Sequence, residues 1–127
     1  MLKSSTLLAI APALLALCGT AEAACVYPQA PQSLPNGNTA TEAEMKVANG
    51  QIKDYVKSVQ ETYLQCLDKE KNDAIAALDN TDPEYPQKKA ALEAIQAKKN
   101  NAAVDELQAL ATRWNAEIKA FKEKSSK

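Results

Sequence analysis

The 127-residue chain contains no histidine. That removes the commonest general acid/base and the commonest metal ligand. It has three glycines, too few and too scattered for a glycine-rich phosphate loop. Neither sign of charge dominates. Fifteen basic and sixteen acidic side chains leave a net charge of −1, which argues against a protein held to nucleic acid by phosphate contacts. Aromatic residues make up only 5% of the chain. No Gly-x-Ser-x-Gly or His-Glu-x-x-His motif occurs. The carboxylates, such as Asp54 and Glu61, alternate with lysines and read as solvated helix faces. The chain is therefore read as non-enzymatic and without a cofactor or metal.

One apolar run stands out, Leu7 to Leu17, preceded by Lys3 and followed by Ala21-Glu22-Ala23. This is the pattern of a secretory signal peptide over residues 1–23, cleaved after Ala23. The run is too short for a spanning helix, which needs about 20 residues, so no stable membrane anchor is expected. Lipidation of Cys18 is disfavoured because Leu17 before it is not small. The expected location is the periplasm or the medium. In such an oxidising compartment the two remaining cysteines, Cys25 and Cys66, read as a disulfide.

The mature chain divides into an extended part, 24–38, and a helical part, 39–127. Pro28, Pro31 and Pro35 hold the first part extended and favour polyproline II. Thr39-x-x-Glu42 and Thr41-x-x-Glu44 are overlapping capping boxes that open helix A, expected over about 41–79. Its apolar stripe includes Ala48, Ile52, Val56, Val59 and Tyr63, read at a period near 3.6. Thr81-x-x-Glu84 is a third capping box, with Pro83 in the first turn of helix B, expected over about 83–123. Helix B carries Leu107, Leu110 and Trp114, and Trp114 reads as core rather than a ligand platform. The acids at the tip, Asp73, Asp79, Asp82 and Glu84, read as helix caps rather than a cation site.

The fold class expected is all-α: a long antiparallel two-helix hairpin with the Pro-rich segment packed along it and tied by Cys25–Cys66. A turn centred near Thr81 sets Val59 opposite Ala103, Ile52 opposite Leu110 and Ala48 opposite Trp114. It leaves Glu70 and Lys99 out of register, snorkelling to the edges. Leu, Ile, Val and Phe number 17 of the 104 residues after Ala23, so two alanine-rich helices alone are marginal. The extended segment supplies the missing layer. It spans about 50 Å as polyproline II, against about 38 Å from Thr41 to Cys66 along the helix. Cys25, Pro28, Pro31 and Leu34 share its three-residue period and are expected to face the groove, with prolines on the rings of Tyr55, Tyr63 or Tyr85. The alternative is a flexible leader that the disulfide merely tethers.

Cys25, the spaced prolines, Pro35-Asn36-Gly37, Ala40-Thr41, Glu44-Met45, Tyr63-Leu64-x-Cys66-Leu67 and Trp114-Asn115 together resemble a set of small exported proteobacterial helical proteins. The similarity covers most of the mature chain. It implies export and a helical architecture, and it implies no activity. The function expected is a protein-interaction or structural module of the envelope. The alternative is a small chaperone-like or stress protein that binds unfolded chains. A protein partner, no nucleic acid, and a monomer or homodimer complete the expectation.

Overall fold

The structure, a computed structural model, describes residues 24–126. Residues 1–23, read above as a signal peptide, and Cys18 among them lie outside the described residues. Among those described, all regular structure is helical: α1 (Glu42–Lys57), a π-helical turn (Ser58–Tyr63), α2 (Leu64–Ala76) and α3 (Tyr85–Ser125). No helix among them is long and apolar enough to cross a membrane.

The start of α1 follows from its sequence. Thr41 accepts the Glu44 amide, while the Glu44 carboxylate accepts the Thr41 amide at 2.7 Å, a reciprocal capping box. These bonds hold the Glu44 carboxyl below its ordinary value. The box expected at Thr81 and Glu84 does not form. Asp79 instead accepts the Thr81 amide and hydroxyl, and Asp82 accepts the Glu84 amide. Two short carboxylate turns therefore occupy the tip, and α3 begins only at Tyr85. Pro86 sits in its first turn, where an amide has no intrahelical partner to lose.

Helix A forms as one continuous helical run over 42–76 with a π turn inside it, short of the expected end near 79. The Leu64 amide donates to the Val59 carbonyl, five residues back, and α2 ends at Ala76. The reason lies in the spacing. Tyr55, Val59, Tyr63 and Leu67 recur every four residues. In a pure α-helix three such steps drift about 120° around the axis. A π turn carries one extra residue and removes about 100° of that drift. The stripe then stays on one side.

The main core joins Ala40, Met45, Ala48, Ile52, Tyr55 and Val59 to Ala103, Leu110 and Trp114. Tyr27, Ala30 and Leu34 pack against it from the non-helical stretch before α1. Leu67 is buried apart from it and lines a cavity of about 60 Å³ with Leu92, Ile95 and Lys99. Beside that cavity Lys99 pairs with Glu70 at 3.2 Å, which corrects the expectation that they miss each other.

Residues 36–40 form a turn in which the Asn36 carbonyl accepts the Thr39 and Ala40 amides. The turn sits hard against α3. The Gly37 amide donates to Glu117 at 2.7 Å, and the Lys124 ammonium donates to the Ala40 carbonyl at 2.5 Å. No described glycine has a positive φ, so Gly37 is needed for space rather than conformation. A Cβ there would overlap the Glu117 carbonyl oxygen and come within 2.8 Å of the Phe121 amide nitrogen. Gly50, in the middle of α1, is the opposite case, since an added Cβ would have no neighbour within 4 Å. Gly37→Ala should lower unfolding stability by about 1–3 kcal/mol. Gly50→Ala should raise it by about 1 kcal/mol. Urea unfolding followed by circular dichroism measures both, and equal effects would contradict these two environments.

Candidate functional site

Cys25 and Cys66 are bonded, with their Cα atoms 5.7 Å apart, and the bond closes a loop of 41 residues. In the chain-entropy account such a loop contributes about 4 kcal/mol. Neither cysteine is fully buried. Of the expected core residues, Ile52, Val59, Leu110 and Trp114 are buried, while Val56, Tyr63 and Leu107 are half-buried against them.

Tyr27, two residues after Cys25, is the residue that sequence reasoning passed over. Its hydroxyl meets the Tyr55 hydroxyl at 2.8 Å. Its ring lies edge-on to Tyr63 at 4.8 Å between centroids and to Tyr55 at 6.5 Å. This tyrosine rests on the rings of the first helical stretch. A ring brings more apolar area to the core than a proline, and its hydroxyl satisfies a buried partner. Burial pushes the Tyr27 phenol far above the ordinary tyrosine value, and the Tyr55 hydroxyl and the Glu106 carboxylate add to the shift.

On its outer side the same stretch borders an open groove. One part, of about 750 Å³, lies between Pro28–Ser33 and Gln51, Asp54, Tyr55 and Ser58. A second part, of about 410 Å³, continues it past Leu34 and Pro35 to Ala43 and Val47. Ser33 and Gln51 line both. Asp54 is the one charged side chain in the larger part, and it makes no hydrogen bond or ion pair among the described residues. Val47 is 62% exposed on the floor of the smaller part. Gly50 is exposed in α1, one turn from both Val47 and Asp54.

The described residues contain no group of three His, Cys, Asp or Glu side chains able to hold a metal ion. The tip acids are each engaged: Asp79 with Thr81, Asp82 with Lys88, and Asp73 with Lys69. The groove offers side-chain amides, hydroxyls, proline rings and one carboxylate, which can bind but which include no activated nucleophile. No family model, no curated protein and no solved structure matches the chain.

The Tyr27 phenol is favoured in its neutral form in the folded state. Its stabilising effect is therefore complete below pH 10, the ordinary tyrosine value, and is lost as pH rises above it. An absorbance titration should show a late tyrosine step, above pH 10. Tyr27→Phe should remove that late step and lower stability by about 1–2 kcal/mol, because the Tyr55 hydroxyl is left without a partner. A variant that keeps the late step would assign it to another tyrosine.

Proposed function

We propose that this chain is a non-enzymatic exported protein that works by binding another protein, and that the groove along α1 is the binding surface. The observation that carries the reading is Gly50. A mid-helix glycine costs about 1 kcal/mol relative to alanine. Nothing in the fold fills the space beside it. Bare backbone one turn from the lining residues Val47 and Asp54 is suited to the close approach of a partner chain.

Export is supported by the Lys3, Leu7–Leu17 and Ala21–Ala23 pattern and by the disulfide, which persists in oxidising compartments. The architecture we infer is the antiparallel hairpin with the Pro-rich segment laid along it. Residues late in helix A meet residues early in helix B, as in Asp68 with Gln96 and Glu70 with Lys99. Residues before and at the start of helix A meet the end of helix B, as in Gly37 with Glu117 and Ala40 with Lys124. That order is the one an antiparallel pair requires.

The occupant we assign is an extended segment of a partner protein that carries a lysine or arginine. Ala43 to Ser58 measures roughly 22 Å along the helix, enough for about seven extended residues. Gln29, Gln32 and Gln51 can pair with the backbone of such a segment, Val47 and the prolines take its apolar side chains, and Asp54 takes the cation.

Selection from a displayed random dodecapeptide library on the oxidised protein tests the reading. Enriched peptides should carry Lys or Arg and should shift the amide resonances of Val47, Gln51 and Asp54. Asp54→Lys and Val47→Glu, both at exposed positions, should each weaken binding by about tenfold or more with the helical signal unchanged. Failure to enrich any peptide, or binding indifferent to both variants, would overturn the assignment of the groove.

A further inference from the structure

We propose that the Cys25–Cys66 disulfide is a redox latch on the groove: it holds the strap 26–35 that forms the wall, and its reduction removes that wall while the helices stay folded. The gating of binding rests on the reading of the groove as the binding surface; the movement of the strap does not.

The strap is fastened at its two ends and weakly between them. At one end are the disulfide and the Tyr27 ring cluster. At the other is the Asn36–Ala40 turn, locked to α3 through Glu117 and Lys124 and continuous with the α1 cap. Residues 28–35 make no hydrogen bond to the helices among the described residues, and three of them are prolines with no amide to donate. Only Ala30 and Leu34 of these reach the core cluster. Val26, beside the latch, is 84% exposed.

Cutting the bond frees the end that has no other covalent hold. Keeping about ten residues ordered then rests on one tyrosine hydroxyl, two ring contacts and two small apolar side chains, against the conformational entropy of the whole stretch. The helical part keeps its own supports: the capping box, the turn on α3, and the core from Met45 to Trp114. The strap therefore pivots at Pro35. Because Pro28 to Pro35 form one wall of both parts of the groove, the groove exists only while the latch is closed.

The chemistry is thiol–disulfide exchange with a dithiol reductant. A thiolate of the dithiol attacks one sulfur of the bond and releases the other cysteine as a thiolate, which takes a proton. The second thiol of the dithiol then attacks the mixed disulfide and releases the first cysteine. Two electrons and two protons pass to the protein, giving two thiols, and the dithiol leaves as its own disulfide. Cys25 and Cys66 are both half-buried.

Nuclear magnetic resonance of the labelled protein before and after dithiothreitol tests the latch, with mass spectrometry confirming two free thiols. The reduced protein should keep its helical circular dichroism, lose the ring contacts of Tyr27 with Tyr55 and Tyr63, and show shifted amides at Gln51, Asp54 and Ser58. A Cys25→Ser/Cys66→Ser variant should match the reduced protein without any reductant. Ring contacts that persist with both thiols free would overturn the proposal. So would collapse of the helices with the strap, which would make the bond a structural staple only. A groove-binding peptide selected on the oxidised protein should lose affinity by about tenfold or more on reduction, and unchanged affinity would overturn the gating. If no peptide binds the oxidised protein, the reading of the groove fails, while the ring contacts still decide whether the strap is released.

Discussion

The Cys25–Cys66 bond fixes the start of an extended segment to the middle of the first helical stretch, and the rest of the packing follows from that attachment. A chain with 18 alanines among the 104 residues after Ala23 makes helices readily but buries little per residue. A third element adds buried area to what two such helices supply on their own. An extended segment without its own hydrogen bonds loses too much entropy to stay on a surface for the sake of a few side chains. The bond removes much of that loss in advance, because the unfolded chain already holds the two points together. Tyr27, two residues from the bond, then reaches Tyr55 and Tyr63 with little further ordering.

The π turn is the helical counterpart of that attachment. Cys66 has to face the incoming segment on the same side as Tyr55, Val59 and Tyr63. Residues spaced by fours do not keep to one side of an α-helix, and a turn with one extra residue brings them back. The turn and the disulfide thus solve one geometric problem together. The same stretch that receives Cys25 also receives the Tyr27 ring, with Tyr63 at 4.8 Å inside the π turn and Tyr55 just before it. At the far end of the strap the fit is made by absence of a side chain, since Gly37 lets the turn lie on the backbone of α3.

Much of this was legible in the sequence, and the parts that were not share a cause. The disulfide could be read because Cys25 and Cys66 are the two cysteines left once residues 1–23 are read as an export signal. The α1 cap could be read because Thr41 and Glu44 act within one turn. The tip was misread because Asp79 and Asp82 compete for the same amides as Thr81, and carboxylates in short turns are strong acceptors. The π turn was hidden by averaging. A stripe read as near 3.6 contained a run of strict fours at Tyr55, Val59, Tyr63 and Leu67, and that run is itself the signal. Gly37 and Tyr27 could not be assigned from local pattern at all. Their roles depend on partners such as Glu117, 80 residues away, and Tyr55, 28 residues away, which no window along the chain contains.

The strap has two faces with separate duties. Tyr27 turns toward the core, Pro28 and Pro31 border the groove, and Leu34 meets both. Proline suits the outer duty because it has no amide to leave unpaired and keeps the stretch extended whether or not the groove is occupied. The inner duty needs area and a hydroxyl partner, which tyrosine supplies. Changes on the outer face can reshape the groove without touching the packing beneath, whereas changes on the inner face disturb both. The folded state and the surface it presents are therefore joined through one short segment. The covalent bond at its end governs that surface, while the helices beneath keep their own supports.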